Sequence, residues 1–169
     1  MIVRKTKLLV VVTTLAAAGT MATLRANPDA KQVEHVLGTY AEAMSSMDHA
    51  LIGAVLAGDD LSVFEGPDAQ PNFGWEDYRT NHLAKEFAIV QSHRYTISEP
   101  EVIVDQTLGF ARFKYDTRAK LRGKDGSTVE VETRGIGSAV VRREGEEWKI
   151  LHLNTYRQYI GEVAAVPRG

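Results

Sequence analysis

Residues 133–157 read TRGIGSAVVRREGEEWKILHLNTYR, and this stretch decides the fold. Either side of Glu144-Gly145-Glu146 the side chains alternate with period two, as in two strands joined by a tight turn. Working outward, the same period runs through Tyr95 to Val104, Phe110 to Arg122, Thr128 to Arg143 and Trp148 to Tyr159, with Gly123-Lys124-Asp125-Gly126 as a further turn. Four long strands connected this way predict an antiparallel meander.

Upstream the period becomes helical. Asn27-Pro28-Asp29 has the chemistry of a helix start: an Asn side chain for orphan amides, a Pro without the amide no partner needs, and an acid at the positive dipole end. Val33, Val36, Leu37, Tyr40, Met44 and Met47 then recur at steps of three and four. Asp48 caps a shorter helix carrying Leu51, Ile52, Val55 and Leu56, which ends at Gly58-Asp59-Asp60 before a short strand from Leu61 to Phe64. Residues 65–74, EGPDAQPNFG, hold two prolines and two glycines and are expected to form a loop with little regular pairing. A third helix is expected from about Trp75 to Val90, with Trp75, Tyr78, His82, Leu83, Glu86, Phe87 and Val90 on a broad face that mixes aromatic bulk with two ionisable groups. Helices first and a sheet afterwards predict an α+β domain whose helices cover one sheet face.

Composition narrows the function. A net charge of -2 gives no electrostatic reason to expect nucleic acid or an anionic membrane as partner. Arg4, Lys5 and Lys7 precede an apolar run from Leu8 to Ala18, followed by small residues to Ala22 and Ala26. This is the layout of a secretory signal, with cleavage after Ala22 or Ala26, because the run is far short of the roughly 20 residues a spanning helix takes. The mature domain is then expected over residues 27–160, with 161–169 a flexible tail, in a secreted or periplasmic location and off the membrane. The absence of cysteine removes a disulfide framework and a thiol nucleophile. There is no G-x-S-x-G elbow, phosphate-cradling loop, dinucleotide fingerprint or H-E-x-x-H. No cofactor is expected, and any chemistry would run on side chains and water.

The element order and two motifs, WEDYRTNHLAKEF at residues 75–87 and the closing TRGIGSAVVRREGEEWKILHLNTYR, resemble the SnoaL-like branch of the nuclear transport factor 2-like (cystatin-like cone) superfamily over roughly residues 33–157. The second is similar to that family's dG-W-x-I-x-H-x-H-x-S ending, with Asn154 in place of its second His and Tyr156 in place of its Ser. The resemblance implies a strongly bent, cone-shaped antiparallel sheet wrapped around three N-terminal helices, and a pocket used for cyclase, hydrolase, dehydratase and isomerase chemistry or for non-catalytic binding and assembly. Fold alone does not choose among these.

Period-two geometry places Trp148, Ile150, His152, Asn154 and Tyr156 on one face of the last strand, read here as the pocket face. His152 suits a general acid or base, and equally a core-edge histidine satisfied by a neighbour. Asn154 and Tyr156 offer neutral hydrogen bonds to a ligand. His82 and Glu86, one turn apart, are read as a helix-surface ion pair rather than a metal site, which would need further ligands such as His152 or Glu65. Tyr40, Phe64, Trp75 and Tyr78, with Met44, suit either a cavity wall or ordinary core. Arg134, beside Gly135-Ile136-Gly137, would recognise a carboxylate if a bend turned it inward, and is otherwise a solvated strand residue. Large apolar residues on both faces of the last strand favour a homodimer packed sheet to sheet, as the superfamily often is. The leading expectation is a small apolar ligand in the cone. The rivals are a cofactor-free lyase, isomerase or hydrolase using His82 or His152, and a non-catalytic assembly module.

Overall fold

In a computed structural model the described residues are 27–66 and 70–160, so the signal-peptide reading of residues 1–26 and the tail 161–169 lie outside them. Helix α1 (Pro28–Ser46) begins as its sequence requires: the Asn27 side chain accepts the Asp29 amide at 3.1 Å, and Met47 closes the helix in the left-handed region at φ 56°. Val33, Leu37, Tyr40 and Met44 form its buried stripe. Asp48 caps α2 (His49–Ala54) by accepting the amides of Ala50 and Leu51.

A 3-10 turn (Gly58–Asp60) leads into β1 (Ser62–Glu65), and the segment expected to be unpaired contributes β2 (Asn72–Phe73), antiparallel to β1. The third helical run is continuous from Trp75 to Ile89 but not uniform. It comprises α3 (Trp75–Asp77), a π-helical turn (Tyr78–Leu83) and α4 (Ala84–Ile89). Four long strands follow: β3 (Val90–Val104), β4 (Leu108–Arg122), β5 (Thr128–Glu144) and β6 (Glu147–Tyr159). They form the expected meander, β3 starting five residues before Tyr95. The sheet order is β2-β1-β6-β5-β4-β3, and β1 runs parallel to β6, so the sheet is six-stranded and mixed rather than wholly antiparallel.

Two irregularities decide which side chains face the helices. In β3, Glu99 and Pro100 are inserted opposite Phe113, with Glu99 at φ 50°, which is where a residue lacking an amide is tolerated in a strand. In β6 the register steps from Ile150 opposite Val141 to His152 opposite Val140, leaving Leu151 as the extra residue of a bulge. A one-residue slip reverses every later side chain. Trp148, Ile150, Leu153 and Thr155 are therefore buried against the helices, while His152, Asn154 and Tyr156 turn to the open face.

The core lies between the helix-covered face and α1, α2 and the third helical run. Gly135 and Gly137 leave room for aromatic rings: a β-carbon at Gly135 would stand 2.6 Å from two carbons of the Tyr115 ring, and one at Gly137 would meet the Phe113 ring. The glycines thus admit cross-strand rings from β4 rather than turning Arg134 inward.

Candidate functional site

On the helix-covered face β1 alternates Val63, buried in the core, with Glu65 one pleat further on. Glu65 there meets the π-helical turn. The Tyr78 hydroxyl donates to Glu65 Oε1 at 3.1 Å, and the hydroxyls of Tyr40 and Tyr78 are 3.0 Å apart. Since the one Tyr78 proton is committed to the carboxylate, Tyr40 is the donor to Tyr78, and a chain runs Tyr40 to Tyr78 to Glu65. Burial first, then the Glu65 charge, raises both phenols well above their ordinary pKa, so both remain protonated donors.

His82 lies on the next turn, with Nε2 2.8 Å from Glu65 Oε2 and 3.4 Å from Glu86 Oε1. Burial would lower the imidazole pKa, but the two carboxylates, Glu65 before Glu86, push it up to about 10. Nε2 is nonetheless buried without a well-formed hydrogen bond to either oxygen despite the short distances. Burial would raise the Glu86 pKa, and His82 draws it below the usual carboxylate range.

Around this cluster stands an aromatic wall. The Tyr95 and Tyr115 rings stack at 5.3 Å and 4°, Tyr40 meets Tyr95 edge-on at 6.0 Å, and Trp75 meets Tyr78 at 6.4 Å. The Tyr95 hydroxyl is buried with no hydrogen-bond partner. Arg157, beyond the β6 bulge, comes back to the same face at its rim, where burial would lower its pKa and the charges of Tyr159, Glu86 and Glu65 raise it.

The comparisons with known proteins agree with this architecture. The family model described as "SnoaL-like domain" matches residues 33–155. The chain belongs to this family. A search among curated proteins finds no match. Among solved structures the SnoaL-like chain is similar to a conserved protein from Planctomyces limnophilus (17% identity, 79% of this chain and 98% of that one, TM-score 0.67). It is also similar to a ketosteroid isomerase-like protein from Erwinia carotovora atroseptica (19%, 78% and 97%, TM-score 0.62). A nuclear transport factor 2-like superfamily protein from Salmonella enterica aligns too (18%, 82% and 95%, TM-score 0.64). At these identities the likeness is one of fold.

The residues singled out from the sequence divide between two faces. Tyr40, Tyr78 and His82 meet on the helix-covered face, where Glu86 and Glu65 join them, and Trp75 packs beside them against Gly53 and His49. Phe64, Arg134, His152, Asn154 and Tyr156 stand on the open face. There His152 Nδ1 is 2.8 Å from the Ser62 hydroxyl and its ring meets Phe64 edge-on at 5.1 Å, so it is a histidine satisfied by neighbours. Arg134 pairs with Asp116 at 2.9 Å as one rung of a cross-strand ladder that includes Glu101–Arg112 and Glu99–Lys114. Asn154 and Tyr156 line a shallow groove of about 530 Å³ with Ile136 and Arg112. The bulge at Leu151, invisible to strict alternation, is the physical reason that the expected His152 face is not the face of His82. Sequence reasoning did not single out Tyr95, Tyr115 or Arg157. Tyr95 and Tyr115 share one face of the β3–β4 ladder, near in register through Ile97 opposite Tyr115, and that cross-strand pairing is the signal that would have drawn attention to them.

Proposed function

We propose that this SnoaL-like domain is exported and binds a small, largely apolar organic molecule against the helix-covered face of its sheet. In this reading the Tyr40–Tyr78–Glu65 chain, His82 and Tyr95 supply the polar contacts. The observation that carries the reading is the Tyr95 hydroxyl, buried among aromatic rings with no partner beside an ionisable cluster. Buried hydroxyls in native proteins are satisfied, so one left open beside such a cluster is a donor awaiting an acceptor. Export rests on the basic and apolar N-terminal pattern. Homodimerisation through the open face rests on Phe73, Ile103, Ile136 and Tyr156, which are between 53% and 75% exposed and come from four of the six strands.

The decisive experiment is Tyr95→Phe measured two ways against a panel of aromatic and alicyclic ketones and alcohols, with tryptophan fluorescence as the readout. Removing an unpartnered buried hydroxyl leaves the stability of the free protein unchanged or slightly higher. The same change should weaken a ligand that accepts from it about tenfold. A variant that binds every panel member as tightly as the parent would refute the contact.

A second reading, acid–base lyase or isomerase chemistry on the bound molecule, is favoured by the juxtaposition of Glu65, His82 and Glu86. With His82 holding its proton between them, a carboxylate is the base and the unpartnered Tyr95 hydroxyl polarises an oxygen. Turnover lost in Glu86→Gln with ligand affinity retained would support it.

A further inference from the structure

The Glu65–His82–Glu86 cluster has a geometry that an ion triad does not require. We infer that it is a binding site for one divalent transition-metal ion, of the Zn²⁺ class, with one imidazole nitrogen and two carboxylate oxygens as protein ligands. The three donor atoms lie within 4.8 Å of one another, with Nε2 2.8 Å and 3.4 Å from the two oxygens. Ligands each about 2.0–2.2 Å from a common ion stand roughly 3–3.5 Å apart, so the 3.4 Å separation already matches and the 2.8 Å one is a few tenths of an ångström short.

Two further observations point to an ion rather than to hydrogen bonds among the three. His82 Nε2 is buried, yet it makes no well-formed hydrogen bond to either carboxylate. An imidazolium built to bridge two acids would complete a hydrogen bond with one of them; a nitrogen that completes neither has room for an ion among the three. Glu65 is also divided between two tasks. Its Oε1 accepts from Tyr78, which in turn accepts from Tyr40, while Oε2 faces His82. Fixing one oxygen of a carboxylate by a buried donor leaves the other oriented for a metal, the arrangement that surrounds ligating carboxylates generally. Two carboxylates match the charge of a divalent ion, and a mixed nitrogen and oxygen set favours Zn²⁺, Co²⁺ or Mn²⁺ over Ca²⁺ and Mg²⁺, which take oxygen alone. Three protein ligands leave a position for water or for an oxygen of the organic ligand, the mark of a working rather than a structural site.

The inference stands apart from the proposed organic ligand, and one experiment separates them. The purified protein is stripped with EDTA and titrated with Co²⁺, followed by visible absorption and calorimetry, then competed with Zn²⁺. The expected result is one saturable equivalent per chain. His82→Ala and Glu86→Gln should each weaken it at least 100-fold, and Tyr78→Phe, which touches no ion, about tenfold. His152→Ala, on the other face, should leave it unchanged. Circular dichroism of the stripped variants confirms folding, and Glu86→Gln keeps volume if His82→Ala does not fold. Absence of saturable Co²⁺ binding below about 100 μM would overturn the site, as would stoichiometric binding that survives Glu86→Gln and His82→Ala together. Binding of the organic panel by EDTA-treated protein alongside no Co²⁺ binding would refute the metal and leave the ligand reading intact.

Discussion

Tyr40 and Tyr78 are both wholly buried, and the order of donation between them predicts an asymmetric double-mutant cycle. Tyr40→Phe removes a neutral hydroxyl–hydroxyl bond and leaves the Tyr78–Glu65 contact in place, a loss of about 1 kcal/mol. Tyr78→Phe removes a bond to a charged acceptor, about 2 kcal/mol, and also strands the Tyr40 hydroxyl in the core, about 1 kcal/mol more. In the double variant no hydroxyl is stranded, so its cost should be about 2–3 kcal/mol, short of the roughly 4 kcal/mol sum of the singles. Equilibrium urea denaturation at pH 7, followed by tryptophan fluorescence with the slope held common, measures all four corners. Additivity within about 0.3 kcal/mol would refute the chain, and so would a Tyr40→Phe variant less stable than Tyr78→Phe.

Other consequences are simpler. Gly137→Ala pushes a β-carbon into the Phe113 ring and should cost about 1–3 kcal/mol, read as a lowered melting temperature; an unchanged melting point would mean that the ring is not seated there. Ile136→Lys, at a position 65% exposed, should leave the monomer stable while halving the mass seen by light scattering, and a parent already monomeric at micromolar concentration would sink the sheet-to-sheet dimer. In EDTA-treated protein the His82 imidazole should remain charged well beyond its ordinary 6.5, titrating near about 10 by NMR. A folded pKa raised in this way adds stability that is complete below pH 6.5 and is lost as pH rises through about 10. An imidazole titrating near 6.5 would show that the carboxylates do not hold it.

How much was legible follows from which residues speak locally. The caps at Asn27 and Asp48, the apolar stripe of α1 and the hairpin turns are short-range chemistry, and each formed as read. The four-strand meander and the helix-covered sheet follow from the same patterns. The π-helical turn leaves no clear trace in spacing, because Tyr78, His82 and Glu86 fit α periodicity equally well. The β6 bulge is harder still: WKILHLN reads as continuous alternation, and only pairing with β5 reveals Leu151 as the extra residue. That one residue sends His152, Asn154 and Tyr156 to the open face and returns Thr155 and Arg157 to the other. Glu65 was named only as a distant possibility for His82, since β1 reaches the third helical run through a parallel pairing with β6 that lies 90 residues away in sequence at Ser62 and His152.

Energetics give an independent reason to regard the helix-covered cluster as functional. The open-face ladder of Glu101–Arg112, Glu99–Lys114 and Asp116–Arg134 is exposed, adds little stability, and serves to keep a long sheet soluble and in register. The other face is different in kind. Glu65 and His82 are mostly buried, Tyr40 and Tyr78 entirely so, and Tyr95 hides a hydroxyl that nothing accepts. Removing charges from water is not repaid by their mutual attraction unless the geometry is excellent, and replacing such a group by apolar residues of similar volume is commonly neutral or stabilising. Here the geometry is not excellent for the ions themselves, since His82 Nε2 makes no well-formed hydrogen bond to either carboxylate. A domain selected only to fold would carry leucine or phenylalanine at those positions. On the proposed reading the cluster is arranged for something that the chain alone does not supply, and two of the buried atoms without a hydrogen-bond partner among the described residues, His82 Nε2 and the Tyr95 hydroxyl, are where it would be met.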